Sequence, residues 1–199
     1  MSVLQTNGIE LYYEVEGNGE PLLLLHGMTG CHEDWEYAGR QEFLRKYRLI
    51  TPDARWHGRS TNPEKTFSHR QCARDTLALL NHLGIQRCRA IGVSMGGNIL
   101  LHVATLEPER IEAMVLVSAT MYFPDQARAI MRAFPVENQP AIEWEAMRHR
   151  HKHGDEQIVA LWEQCRALKD SFDDMNFTPA DLARITAPTL IVYGDRDPL

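Results

Sequence analysis

The sequence predicts an α/β fold built on a mostly parallel sheet with helices on both faces, and three observations predict it. Residues 22–25 (LLLL), 47–52 (YRLITP), 88–93 (CRAIGV), 113–117 (AMVLV) and 189–193 (TLIVY) are short apolar runs of the kind that strands buried on both faces require. Two intervals between them carry helical spacing: Cys72, Leu77, Leu80 and Leu83, then Ile99, Leu100, Val103 and Leu106. Alternation of the two patterns is that of right-handed βαβ units.

The elements follow in order. Residues 9–16 (IELYYEVE) put Ile9, Leu11, Tyr13 and Val15 on one face, between the turn signals Asn7-Gly8 and Gly17-Asn18-Gly19, so antiparallel strands open the fold. Ser68 is placed to N-cap the first long helix and Gly84 to stop it. The second long helix begins at Met95 and ends before Glu107-Pro108. After Thr120 the rhythm breaks. Residues 121–177 hold no buried-strand run and are rich in Ala, Glu, Met, Arg and Trp, which predicts a helical cap inserted between a first core part, 1–120, and a second, 178–199.

Composition narrows the function. The 199 residues are 44% hydrophobic and 24% charged with a net charge of −6, which excludes a disordered or fibrous chain. No Lys/Arg run offers a footprint for nucleic acid or an anionic membrane, and no apolar run is long enough to span a bilayer. The N-terminal MSVLQTNGIELYY lacks a basic stretch followed by an apolar one, so a cytoplasmic protein without a signal peptide is expected. Cys31, Cys72, Cys88 and Cys165 are widely spaced and read as reduced, buried small hydrophobes. No metal or cofactor is expected.

Gly92-Val93-Ser94-Met95-Gly96-Gly97 sits where an apolar strand gives way to a helix. A strand that turns at once into a helix strains the serine backbone, and the flanking glycines admit the neighbouring chains. The hydroxyl then stands above the carboxyl end of the sheet, where open α/β sheets bind ligands. The pentapeptide alone matches by chance in about one chain in fifteen of this length, so its strand–turn–helix setting carries the inference; the bland alternative is a glycine-rich turn that only packs a helix on a strand. An acyl carbonyl attacked by Ser94 becomes an oxyanion and needs two preorganised N–H donors. Met95, directly after the nucleophile, supplies one, and Met28 in His26-Gly27-Met28-Thr29-Gly30 is the candidate for the other.

With these pieces in place the chain resembles the α/β-hydrolase superfamily, most of all the small bacterial lid-bearing esterases and 3-oxoadipate enol-lactonase-like hydrolases. The matching stretches occur in family order: NGIELYYEVEGNGEPLLLLHG, TPDARWHGRST, GVSMGG, PERIEAMVLVSAT and APTLIVYGDRDPL. One departure is Trp56, where the family has Gly in its Asp-x-Arg-Gly-His-Gly-x-Ser turn; Asp53, Arg55, Gly58 and Ser60 match. The resemblance maps the catalytic acid onto Asp197 of Gly194-Asp195-Arg196-Asp197, with Asp195 as the rival. In the family one further strand, a loop with the catalytic histidine and a final helix follow. The histidine is therefore expected about thirty positions beyond residue 199, and the chain is read as part of a longer enzyme. Losing the histidine of a serine triad costs roughly 10⁶ in kcat, about 8 kcal/mol of barrier, so these residues alone would be a poor catalyst. Leu190, Ile191 and Val192 would likewise form an exposed apolar edge without that further strand.

The other histidines fit the base role less well. His26 and His57 belong to loops with structural roles, His69, His82 and His102 to helices, and His32 to the loop after the oxyanion segment. The alternate spacing of His149, His151 and His153 reads as a solvated basic face of the cap. The expected activity is hydrolysis of a small carboxylic ester, thioester or lactone, with Gly27, Trp35, Met121, Tyr122, Phe123 and Trp144 as candidate substrate contacts. Two other readings stay open: a non-catalytic ligand- or partner-binding protein of the same fold, and an inactive fragment.

Overall fold

The computed structural model describes residues 2–197. β1 (Ser2–Thr6) and β2 (Ile9–Glu16) pair antiparallel across Asn7-Gly8, both at positive φ (45° and 77°) as the hairpin turn demands. β2 then pairs antiparallel with β4 (Tyr47–Pro52), and β4 runs parallel to β3 (Glu20–Leu25). Parallel pairing continues through β5 (Cys88–Val93), β6 (Ile111–Val117) and β7 (Thr189–Val192), which completes one seven-stranded sheet of order β1-β2-β4-β3-β5-β6-β7.

The run of four leucines shows why both faces must be apolar. Leu23 and Leu25 enter the main core with Leu79 and Leu80 of α2 (His69–His82) and Ile99 and Leu100 of α3 (Met95–Leu106). Leu22 and Leu24 point the other way, onto Leu49, Trp35 and Phe43, the last from α1 (Arg40–Leu44). Leu190, Ile191 and Val192 of β7 are exposed by 59%, 65% and 44%, so the apolar edge expected from the sequence is present among the described residues. The Ser68 hydroxyl accepts the Gln71 N–H and caps α2 as its position predicts.

Between β6 and β7 the chain is helical: α4 (Asp125–Arg132), α5 (Ala141–Arg150) and α6 (Asp155–Ala167). Its β-structure among the described residues is an isolated bridge of Tyr122 with Asn176. Two small apolar clusters hold it: Met147, Ile158, Leu161 and Trp162, and Phe123, Ala127, Met131 and Met175. α7 (Pro179–Leu182), capped reciprocally by Thr178 and Asp181, leads back into β7.

Candidate active site

Ser94 lies between β5 and α3 at φ 49°, ψ −114°, a left-handed strained conformation for a residue with a side chain. Two backbone bonds hold it: its N–H donates to Val117 O at 2.7 Å, and its carbonyl accepts Asn98 N–H at 3.0 Å. The strain is possible because α3 starts almost in contact with the sheet. A Cβ on Gly92 would lie 2.6 Å from Gly97 N, and one on Gly96 would lie 2.7 Å from His26 O.

Ser94, Met95 and Met28 all line a cavity of about 590 Å³. Among the described residues, no turn or cap hydrogen bond uses the backbone N–H of Met28 or Met95. Met28 belongs to a turn closed by Gly30 N–H to Gly27 O (3.0 Å), with Thr29 at φ 62°. Gly27 flanks the nucleophile, since a Cβ there would lie 3.8 Å from Ser94 Cβ.

Histidines fix that turn from outside. Ala54 N–H donates to His26 Nε2 (3.1 Å), so Nδ1 carries the proton and donates to Gly27 O at 2.8 Å. Gly58 N–H donates to His151 Nδ1 at 2.9 Å, and His151 Nε2–H therefore donates to Thr29 O at 3.0 Å. His151 is thus a buried strut between the 121–177 segment and the turn, not part of a solvated face. α5 ends at Arg150, and His151 leaves it in an extended conformation, so helical spacing does not govern it. His153 Nε2 reaches Arg59 O at 3.0 Å, and His149 stays exposed near Glu33.

These struts predict acid sensitivity. Burial holds His102 and His151 down at about 4, and lowers His26 and, further, His57. His32 moves oppositely: burial opposes its charge, but the bond to Asp53 together with the charges of Asp53, Glu14 and Glu33 outweighs burial and raises it. Above pH 6.5 the depressed histidines are neutral folded and unfolded and contribute nothing. As pH falls from 6.5 toward 4 the unfolded chain takes up more protons, and each costs up to about 1.4 kcal/mol per pH unit. The unfolding free energy is expected to fall by a net few kcal/mol from about pH 6.5 to about pH 5 after the His32 offset, and the urea midpoint to fall with it. An unchanged midpoint would contradict the burial of these rings.

Cys31, His32 and Asp53 bring three metal-ligand atoms within 4.8 Å of one another. Their donors are already committed: Asp53 Oδ1 accepts His32 N–H (2.7 Å) and His32 Nδ1–H (2.8 Å), Oδ2 accepts Arg59 N–H (2.9 Å), and burial lifts the Cys31 thiol to about 12. This is a hydrogen-bonded brace for the 53–60 turn.

Asp197 is half-buried in the turn after β7, with its N–H on Gly194 O at 3.2 Å; Asp195 is exposed. Tyr193 lines the cavity, and burial followed by the Asp197 charge raises its hydroxyl. Five of the six candidate contacts are not among the residues that line the cavity, Gly27 beside Ser94 being the first. Trp35 is buried under β3 and β4 with Leu22, Leu24 and Leu49, on the opposite face of the sheet. Met121 and Tyr122 are exposed by 44% and 54%, and Trp144 packs edge-on to Trp162 at 4.6 Å. Phe123 does line the cavity, joined by Met131, Phe134, Met147, Trp162 and His69, which the sequence reading did not assign. The i, i+4 spacing of Ala127 and Met131 was a usable signal for α4; no local signal points to His69.

Comparison with known proteins agrees with this architecture. A model of the alpha/beta hydrolase fold matches residues 20–139. A non-heme haloperoxidase of Rhodococcus erythropolis is 27% identical over 98% of this chain and 81% of its own length. The human serine hydrolase BPHL is 26% identical over 97% of this chain and 69% of its own. Among solved structures, a hydrolase from Pseudomonas aeruginosa superposes with a TM-score of 0.75 at 26% identity, covering 97% of this chain and 79% of that one. The enol-lactonase of Burkholderia xenovorans shares the fold with a TM-score of 0.67 at 20% identity, covering 98% and 91%.

Proposed function

The chain belongs to the α/β-hydrolase fold family and is an enzyme of hydrolase type, and from that premise we propose that it is a serine hydrolase for small carboxylic esters, thioesters or lactones. The observation that carries this reading is Ser94 itself, strained between β5 and α3 on the wall of a largely apolar cavity that Met28 and Met95 also line. Ser94 Oγ attacks the acyl carbon as its proton passes to a histidine. The carbonyl oxygen takes up the electron pair and accepts the Met28 and Met95 N–H groups. Collapse of the adduct breaks the bond to the leaving oxygen or sulfur, which takes the proton back from the imidazolium. Water repeats the sequence on the acyl-enzyme and releases the acid.

Asp197 orients the histidine, which lies outside the described residues, as the family pattern implies. Among the described residues both ring nitrogens of His26 and of His151 are engaged, with Gly27 and Ala54 and with Thr29 and Gly58, and His69 is held through Nδ1 by Asp174. Residues 121–177 act as the cap that closes the cavity over the acyl group.

The test is fluorophosphonate labelling of the full-length gene product together with p-nitrophenyl acetate turnover. Labelling of Ser94 is expected, and Ser94→Ala is expected to abolish it and to lower kcat by about 10⁶, as for the loss of a serine nucleophile elsewhere. A folded full-length protein that neither labels nor turns over ester would end the proposal.

A further inference from the structure

The cavity wall carries a buried histidine that the proposed chemistry does not use. His69, the first residue of α2, is 1% exposed at its side chain and lines the cavity with Ser94. Asp174, more than a hundred positions away in sequence, grips it. One carboxylate oxygen accepts both the His69 N–H and Nδ1–H at 2.7 Å, and the other accepts Arg70 N–H at 3.0 Å. Burial works against the Asp174 charge, but the His69 contacts and the α2 N–H groups outweigh it and hold the carboxyl at about 2. Asp174 is therefore ionised at neutral pH and holds Nδ1–H, so Nε2 is the ring nitrogen left for another partner.

That Nε2 is buried and has no hydrogen-bond partner among the described residues. Phe67 and Phe123 flank the ring, with centroids at 5.2 and 6.3 Å. The contrast with His102 is direct, since its Nε2 donates to Asp174 O at 2.8 Å. A buried acceptor without a partner is unfavourable, and a folded chain tolerates one most readily where a ligand completes it. The unpartnered nitrogen, the grip of Asp174 on the other one and the aromatic surround together describe a socket for one O–H group on an otherwise apolar molecule.

We propose that His69 is a specificity-determining residue whose Nε2 accepts a hydrogen bond from a hydroxyl on the substrate's acyl portion, so that the enzyme prefers hydroxyacyl esters to plain ones. This rests on the serine-hydrolase reading above.

The test compares p-nitrophenyl 3-hydroxybutanoate with the butanoate, and the 6-hydroxyhexanoate with the hexanoate, on the full-length enzyme. One hydroxylated ester is expected to exceed its plain partner in kcat/KM by about fivefold to tenfold, the worth of one neutral hydrogen bond, chiefly through KM. His69→Phe is expected to bring that ratio to one, and the ratio cancels any loss common to both esters. A wild-type ratio near one for both pairs, or a ratio retained in His69→Phe, overturns the socket while turnover of the esters still upholds the hydrolase. A second measurement needs neither turnover nor a stable His69 variant. In full-length Ser94→Ala, the ¹⁵N resonance of His69 Nε2 is expected to shift on adding one of the hydroxy acids and not on adding its plain partner. Equal response to both acids, or to none, overturns the proposal.

Discussion

Gly96→Ala is expected to destabilise the protein by about 3 kcal/mol or more, at the upper end for overpacked sites. The reason is contact, not backbone freedom. A Cβ at Gly96 would lie 2.6 Å from the Leu25 carbonyl carbon and 2.7 Å from His26 O, both main-chain atoms at the end of β3. Neither can rotate aside, so α3 must slide off the sheet or β3 must bend. Both movements reach the site, because Ser94 precedes α3 and His26 leads into the turn that carries Met28. The urea midpoint and the rate of fluorophosphonate labelling are therefore expected to fall together. Gly194→Ala is the control: among the described residues its Cβ would meet only Asp197, at 3.8 Å or more, and a change within about 0.5 kcal/mol is expected. A wild-type midpoint for Gly96→Ala would mean that α3 does not approach β3 as described.

Most of the framework was legible because its signals are local. Residues 9–16, 47–52 and 88–93 form strands over the stretches that alternation or apolar runs indicate, and Ser68 caps α2 where it was expected. The turn around Ser94 was legible for the same reason, since the strain and the close approach are written in consecutive residues. The cavity wall was not. Trp35 was a candidate contact, yet it packs with Leu22 and Leu24 on the far side of the sheet. Which side a loop crosses depends on strand order, and no window of sequence contains that. His151 was misread because helical spacing was extended one residue past the end of α5. The grip of Asp174 on His69 joins α2 to the end of the 121–177 segment, and only the assembled fold brings the two together. Local periodicity thus finds the elements and the strained turn at Ser94, while the walls of the site follow from how distant elements are stacked.

Asp75→Ala is expected to cost about 3–5 kcal/mol, because it strips the partner from a buried cation. Arg55 Nε donates to Asp75 Oδ2 at 2.8 Å and its terminal nitrogen to Oδ1 at 3.1 Å, with the two side chains 3% and 2% exposed. Asp75 also accepts Asn7 Nδ2 at 2.9 Å, so the pair ties the 53–60 turn to α2 and to the β1–β2 hairpin. Arg55→Met with Asp75→Leu removes both charges together and leaves no unpaired ion. The double variant is expected to regain most of the lost stability, and a double-mutant cycle in urea checks it. Additive losses would show that each side chain is stabilised by something other than its partner. The labelling rate separates stability from placement. Ala54, beside Arg55, donates to His26, and His26 in turn holds Gly27 of the 27–30 turn. An apolar pair restores the packing but not the two directional bonds that set the height of that turn, so labelling of Ser94 in the double variant is expected to stay below wild type even where the urea midpoint has recovered.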